Sequence, residues 1–318
     1  MNSNYIKIIE NAIKAPSGHN TQPWLFKVNN DSIEILPDMN KALPVVDPDN
    51  RELFISLGCA AENLCITASA MEYETEVIIT EKDTILINLN KVNNLIPNPL
   101  YKQIVLRQTN RSIYKRKVIP DNDLNILRDI PLEESISSYF YENGTTAFKT
   151  IASFVHKGNE VQMDDPLFKN ELKQWMRFNK KHQNKHNDGL SYAVFGAPNL
   201  PQLMAKRIIS SFLNVSSQNK SDMKKIESSS HFLLFTSDTN TIKDWINLGR
   251  SLERILLKST ELGLSHAYLN QPNEIKHLAK EMSEILDISN KYPTILLRLG
   301  YGNKMPYSKR RSIESVII

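Results

Sequence analysis

The stretch LGCAAENL at residues 57–64 returns in pattern as LGRSLERI at residues 248–255. In both, a Leu-Gly pair is followed at the same spacing by a glutamate and an aliphatic residue. These are Leu57-Gly58, Glu62 and Leu64 in one, and Leu248-Gly249, Glu253 and Ile255 in the other. Around the first, the apolar face Leu53, Leu57, Ala60, Leu64, Ala68 and Met71 has the spacing of a long amphipathic helix. A second echo follows each helix: Thr84-Ile85-Leu86 with Leu89, and Thr294-Ile295-Leu296 with Leu299. The repeated order strand–helix–strand–strand predicts a duplicated unit, two copies folded against each other as a pseudo-dimer within one chain. Chance likeness of two amphipathic helices is the competing reading.

Working outward, Ile6, Ile9 and Ile13 mark a first helix over 3–14, stopped by Ala15-Pro16-Ser17-Gly18. Strands at 24–28 and 32–36 flank the hairpin signal Asn29-Asn30-Asp31. Asp49-Asn50 precede the helix over 51–71, and strands at 76–80 and 84–89 follow. The stretch KVNNLIPNP at 91–99 reads as a boundary between an N-terminal half (1–98) and a C-terminal half (99–318). The second half predicts helices near 100–107, 121–129 and 145–156, with an irregular basic stretch at 108–119 and a strand at 137–141. After a polar insertion at about 157–228, with helices near 166–180 and 201–213, it predicts strand 231–236, helix 241–262, strand 266–269, helix 273–286 and strand 294–299.

With 318 residues, 41% hydrophobic and 23% charged, the chain has the make-up of a globular protein with a sizeable core. A net charge of +4 is too mild to imply nucleic acid. Cys59 and Cys65 would point about 120° apart on one helix, which predicts free buried thiols rather than a disulfide. No signal peptide or membrane span is visible, so a cytoplasmic protein is expected. The ten glycines make neither G-x-G-x-x-G nor a P-loop, and G-x-S-x-G and H-E-x-x-H are missing too. His182 and His186 could share a helix face, but Lys181 and Lys185 beside them oppose a cation, so no metal is expected.

Three segments carry chemistry. Ala15-Pro16-Ser17-Gly18-His19-Asn20-Thr21-Gln22-Pro23-Trp24 is a helix end followed by hydrogen-bonding residues, with Gly18 allowing close backbone approach. It suits a ligand loop or a hydrogen-bonded turn. Arg107-Gln108-Thr109-Asn110-Arg111 places two guanidinium forks about a hydroxyl and two amides, which suits an anion or a solvated helix end. Lys309-Arg310-Arg311 is a basic triplet near the chain end.

Together these segments resemble FMN-dependent nitroreductases. APSGHNTQPW (15–24) resembles that family's signature, and LYKQIVLRQTNRSIY (100–114) its arginine-rich segment. LGRSLERILLKSTELGLSHAYLNQP (248–272) resembles the central helix and flavin-side loop, and PTILLRLGYG with SKRRSIESVI (293–317) the last strand and basic tail. In ordinary family members the arginine segment precedes the A-P-S segment, whereas here it follows. That order resembles the Acg-type branch, in which two nitroreductase-like units are fused.

The resemblance implies an α+β nitroreductase-like fold, an internally duplicated pseudo-dimer with a helical lid insertion. It implies FMN held between the halves and reduction of nitroaromatic or quinone-like acceptors, with NAD(P)H as candidate donor. Arg107, Thr109 and Arg111 match positions holding the phosphate and ribityl chain, and Lys309 and Arg311 the basic pair that reaches phosphate. Pro16, Ser17, Gly18 and Asn20 match the loop donated by the opposite unit, and Leu269, Asn270 and Gln271 the loop beside the isoalloxazine; His19, within the first loop, suits a flavin contact or a hydrogen-bonded turn. No protein acid–base pair is needed, since the flavin carries the redox chemistry. Only Lys7 and Lys14 precede Ala15, so the first half has no second phosphate segment, and one FMN per chain is expected. The aromatics Trp175, Phe178, Tyr192 and Phe195 suit a lid over the flavin or a peripheral helical hairpin with its own small core. A lid-closed flavin-storage protein is the alternative function. The expected partners are a small-molecule electron acceptor and neither nucleic acid nor membrane, with the chain a monomer or a homodimer.

Overall fold

The computed structural model describes residues 2–318. The first half runs α1 (Ser3–Ala12), β1 (Trp24–Val28), β2 (Ser32–Pro37), α2 (Arg51–Ala70), β3 (Tyr73–Ile79) and β4 (Ile85–Lys91). The second half begins with α3 (Asp121–Arg128), β5 (Ile136–Glu142) and α4 (Thr146–Asp164). Then come α5 (Pro166–Trp175), β6 (Met176–Arg177), α6 (Lys180–His186), β7 (Leu190–Ser191), α7 (Gln202–Phe212) and α8 (Val215–Glu227). It closes with β8 (His231–Ser237), α9 (Ile242–Glu261), β9 (Ser265–Tyr268), α10 (Gln271–Glu274), α11 (Lys276–Ile285) and β10 (Tyr292–Gly300).

Two four-stranded antiparallel sheets result, ordered β1-β2-β4-β3 and β5-β8-β10-β9. Counted within each sheet, both orders are first, second, fourth, third, with the long helix between the second and third strands. Each long helix packs on its own sheet, and α2 and α9 pack on each other, giving sheet, helix, helix, sheet. One apolar core runs through all four layers, from Ile33, Ile35, Ile85 and Ile87 to Leu233, Phe235, Ile295 and Leu297. By length and composition α2 could cross a membrane, but 83% of that window is buried inside the fold.

The repeated glycines explain how closely the helices meet. A Cβ on Gly58 would lie 2.1 Å from the Ile246 carbonyl oxygen and 3.0 Å from the Gly249 Cα. A Cβ on Gly249 would lie 2.1 Å from the Ile55 carbonyl oxygen. The same turns carry Glu62, which accepts from Arg254 Nε at 2.7 Å and Arg250 Nε at 3.2 Å. The end of the chain crosses to the first half: Phe26 N–H donates to the Val316 carbonyl, and Ile318 N–H to the Phe26 carbonyl.

Some elements depart from the sequence reading. The helix expected near 100–107 is a single 3-10 turn at Pro99–Gln103, started by the Asn98 side chain on Leu100 N–H. Beyond it, Asn110 N–H donates to the His266 carbonyl, so the arginine segment is fixed by tertiary pairing with β9. Helix α5 ends at Trp175, and the stretch expected as one helix over 273–286 is divided at Ile275. Helix α8 was not anticipated: Ile226 is its only buried apolar residue, so it has almost no hydrophobic period to read. Cys59 and Cys65 are free.

Gly58→Ala and Gly249→Ala are each expected to cost about 2–3 kcal/mol, because the added methyl meets backbone that cannot rotate away. Urea unfolding monitored by circular dichroism checks this; midpoints equal to wild type would show that the helices separate without cost.

Candidate functional site

The loop between α1 and β1 is wound tightly. His19, Asn20 and Gln22 all have positive φ, at 47°, 57° and 55°. Such conformations persist only where the surroundings over-determine them, and here several bonds do. Ser17 Oγ accepts from Gln22 N–H at 3.0 Å. Asn20 Nδ2 donates to the Gly189 carbonyl at 3.1 Å and the Lys309 carbonyl at 3.3 Å. Gln22 Nε2 donates to the Asn187 carbonyl at 3.0 Å, and its Oε1 accepts from Arg311 N–H at 2.8 Å. The loop is thus the knot joining the first half, the insertion and the C-terminal tail.

Beside it opens a cleft of about 200 Å³ lined by Lys14, Arg107, Thr109, Arg111 and Arg310. Arg107 is buried, with Nη2 donating to the Lys14 carbonyl at 2.6 Å and Nε 3.2 Å from Glu253 Oε1. Arg310 donates to Asn20 Oδ1 at 2.8 Å and to the Lys14 and Ala15 carbonyls. Burial, and then Arg107, bring Arg310 down to about 9. Burial lowers Arg111 to about 10, and burial with Arg310 lowers Lys14. Among the described residues, Lys14, Arg111 and Arg310 form no ion pair, and Glu253 is the one carboxylate paired with Arg107. Burial pushes Glu253 up to about 7. Arg107 Nη1 and Arg310 Nε are buried without hydrogen-bond partners. Cations outnumber anions in a desolvated place, which is the electrostatics of an anion trap.

Pro16, Ser17 and Arg111 also line a second cavity of about 270 Å³, so the two adjoin. Its floor combines Gly18, His19, Ile55 and Cys59 from the first half with Leu252, Tyr268, Asn270 and Gln271 from the second. Its roof is the insertion: Phe168, Leu172, Met176, Leu190, Phe195 and Leu213. Burial, aided by Arg111, lowers His19 to about 4, and burial pushes the Tyr268 phenol and Cys59 thiol well up. All three are neutral near pH 7. An apolar slot continues a cationic cleft, which suits an elongated ligand with an anionic end and a flat end.

The structure gathers Pro16, Ser17, Gly18, His19, Asn20, Arg107, Thr109, Arg111, Asn270 and Gln271 at these two cavities. It does not bring Leu269, Lys309 or Arg311 there. Leu269 packs into the core under α4, because side chains alternate along an extended strand and Tyr268 and Asn270 take the cavity side. The Lys309 side chain is exposed. Arg311 is occupied by Asp38 Oδ2 at 3.0 Å and the Gln22 and Ser315 carbonyls. The cation delivered by the tail is Arg310. Lys14, Tyr268, Glu52 and Glu274 were also missed; Tyr268 was legible as the residue alternating with Asn270. Of Trp175, Phe178, Tyr192 and Phe195, only Phe195 lines the cavity, beside Phe168, with Arg111 5.4 Å from the Phe195 ring centre.

The architecture is α+β, and in sequence the chain is similar to proteins described as nitroreductases. The chain matches no family profile. It is 23% identical over 320 residues to proteins from two strains of Mycobacterium tuberculosis, each described as a "putative NAD(P)H nitroreductase". The match covers 96% of this chain and 88% of the relative. Among solved structures, a nitroreductase with bound FMN from Bacteroides fragilis is 14% identical, with TM-score 0.39, covering 68% of this chain and 94% of that one. The FMN-dependent nitroreductase NfnB from Mycobacterium smegmatis, in complex with NADPH, is 11% identical, with TM-score 0.43, covering 67% and 94%.

Arg107→Ala is expected to destabilise the fold by about 3 kcal/mol at pH 8, because the buried Glu253 carboxyl loses its partner and must either stay charged unpaired or take up a proton. Arg107→Ala with Glu253→Gln recovers most of that loss. A double-mutant cycle from urea unfolding checks this, and additive losses would contradict the pairing.

Proposed function

We propose that the chain is an FMN-binding oxidoreductase that reduces nitroaromatic or quinone-like acceptors by two-electron transfer, with NAD(P)H as donor. The observation that carries this reading is the pair of adjoining cavities, one with surplus half-buried cations and one with a largely apolar floor and roof. A dianionic phosphate supplies the counter-charge that Lys14, Arg111 and Arg310 lack, beside the Arg107–Glu253 pair and the Thr109 hydroxyl. A planar ring system fits between the floor from both halves and the roof of the insertion. Bound there, FMN supplies the hydride chemistry. The protein's own share is to exclude water, to neutralise the phosphate and to hold neutral groups around the ring. The equal strand orders support a duplication in which the halves stand as two units, divided near residues 98 and 99. One arginine segment per chain then gives one FMN per chain.

A second reading draws on the roof. The insertion is clamped to the first half by Glu171, which accepts from Val45 and Val46 N–H, and by Asp188, which pairs with Lys41 at 2.9 Å and Arg177 at 2.5 Å. A roof pinned at so many points suits sequestration of flavin without turnover.

Anaerobic visible spectra decide between the two. The purified protein is expected to be yellow, and NADH or NADPH to bleach it. Flavin that ignores both donors yet bleaches with dithionite would favour sequestration. Arg310→Ala is expected to weaken FMN binding about 10–100-fold, the range for losing a hydrogen bond to a charged group. Lys309→Ala should stay within about twofold. Equal effects of the two, read by fluorescence titration, would overturn the assignment of Arg310.

A further inference from the structure

A group of carboxyls stands between the ring cavity and a further, outer cavity. That outer cavity, about 640 Å³, is lined by Asp47, Arg51, Glu274 and Lys291 among others. Its rim reaches solvent at the exposed Lys276–Asp49 pair, 2.8 Å apart. Glu274 lines both cavities, and Glu52 lines the ring cavity beside Gly18. Glu52 and Glu274 both line the ring cavity, and each carboxyl perturbs the other's hold on a proton.

Nothing neutralises this pair. Among the described residues neither carboxyl makes an ion pair, and Arg51, the nearest cation, points Nη2 at the Asn273 carbonyl at 2.7 Å while its Nε has no partner. The other hydrogen bonds define where the proton lies. Asn270 Oδ1 accepts from Leu296 N–H at 3.0 Å, so its Nδ2 donates to Glu52 Oε1. Gln162 Nε2 donates to Glu274 Oε2. Each carboxyl therefore has one oxygen engaged by an amide. Two neighbouring buried carboxylates cannot both be charged, so the pair holds a shared proton.

We propose that Glu52 and Glu274 form a proton relay, in which Glu52 protonates an acceptor oxygen in the ring cavity and Glu274 returns a proton from the outer cavity. The proposal rests on the functional reading above. A quinone reduced to a hydroquinone takes up two electrons and two protons. One proton arrives with the hydride from the bound carrier, which is oxidised by two electrons and restored by reduced nicotinamide. The other comes from Glu52, whose O–H bond breaks as the hydroquinone O–H forms. Glu274 then takes up a proton from water on the outer-cavity side and passes it to the Glu52 carboxylate, which restores the shared proton.

The groups facing Glu52 are Glu274 on α10, Arg51 on its own helix, Asp47 before that helix, Tyr268 on β9 and neutral His19 across the cavity. Burial first, and then Glu274, push Glu52 up to about 8. Burial, and then Glu52, bring Asp47 to about 6. Glu52 thus keeps its proton at neutral pH and loses it as pH rises through about 8.

The test combines infrared spectroscopy of the protein, with and without added FMN, and rapid-mixing kinetics with 1,4-benzoquinone. A protonated-carboxyl signal that fades as pH rises through about 8 is expected, distinct from that of Glu253, which fades near 7, and it is missing in Glu52→Gln. Glu274→Gln should move the fading to lower pH, since it removes the like-charged neighbour. Reoxidation of the flavin-loaded protein by the quinone should slow about 100-fold in Glu52→Gln, and the fall in rate at high pH should vanish. Glu52→Gln mimics the protonated acid, so it is expected to fold; far-UV circular dichroism verifies that. A flavin-loaded Glu52→Gln protein that keeps the signal fading near pH 8, or the wild-type quinone rate, overturns the relay. A chain that takes up no FMN overturns the functional reading and with it the relay's role. The carboxyl band is measured independently of that outcome.

Discussion

Everything in this structure depends on the backbone contact between α2 and α9 at Gly58 and Gly249. Where two helices cross with no side chain between them, their main chains approach so closely that even one methyl would collide with a carbonyl oxygen. That closeness sets the spacing of the two sheets and brings Ile55 and Cys59 of one helix within reach of Leu252 of the other. The floor of the ring cavity is built from these turns. A wider crossing would separate the two halves of the floor and leave a groove that neither could close alone.

The electrostatics follow from that geometry. Arg107 is buried against Glu253, which belongs to the repeated turns of α9 just beyond the crossing. The partner glutamate of the first copy, Glu62, is used differently: it ties Arg250 and Arg254 of α9 to α2. One copy of the motif thus serves the joint and the other serves the site. Around Arg107 the cleft collects further cations from distant parts of the chain: Lys14 from the end of the first helical stretch, Arg111 from the second half and Arg310 from the tail. Their mutual repulsion is tolerated because the rest of the fold holds them, and it leaves a place where an anion is stabilised. The carboxyls at the far end of the ring cavity form the opposite case, with acid groups crowded until a proton is retained.

Much of this was legible in the residues. The paired L-G-x-x-x-E segments announced two helices of one kind, and the strand echoes after them matched β4 and β10, which occupy equivalent places in the two sheets. The segment 15–24 and the arginines at 107 and 111 stood out by residue type and do meet at one cleft. The tail was harder to read. In Lys309-Arg310-Arg311 all three residues are cations, and which one enters the cleft depends on Asp38 and Gln22 taking Arg311. Leu269 was placed beside the ring because its neighbours are there, yet the alternation of an extended strand turns it into the core. Glu52 and Glu274 carried no signal, since isolated glutamates near helix starts are ordinary surface residues in most sequences.

By itself the sequence determined local periods, turns, the duplicated pattern and the residue types able to hold an anion, because these depend on neighbours a few positions away. Only the tertiary structure decided which cations face one another, which carboxyls adjoin, and that the insertion roofs the cavity. Those outcomes depend on burial and on contacts between segments remote in sequence: Lys14 with Arg310, Glu52 with Glu274, Asn20 with Gly189. Charge and hydrogen bonding act through space, and no spacing along the chain encodes the distances on which they depend.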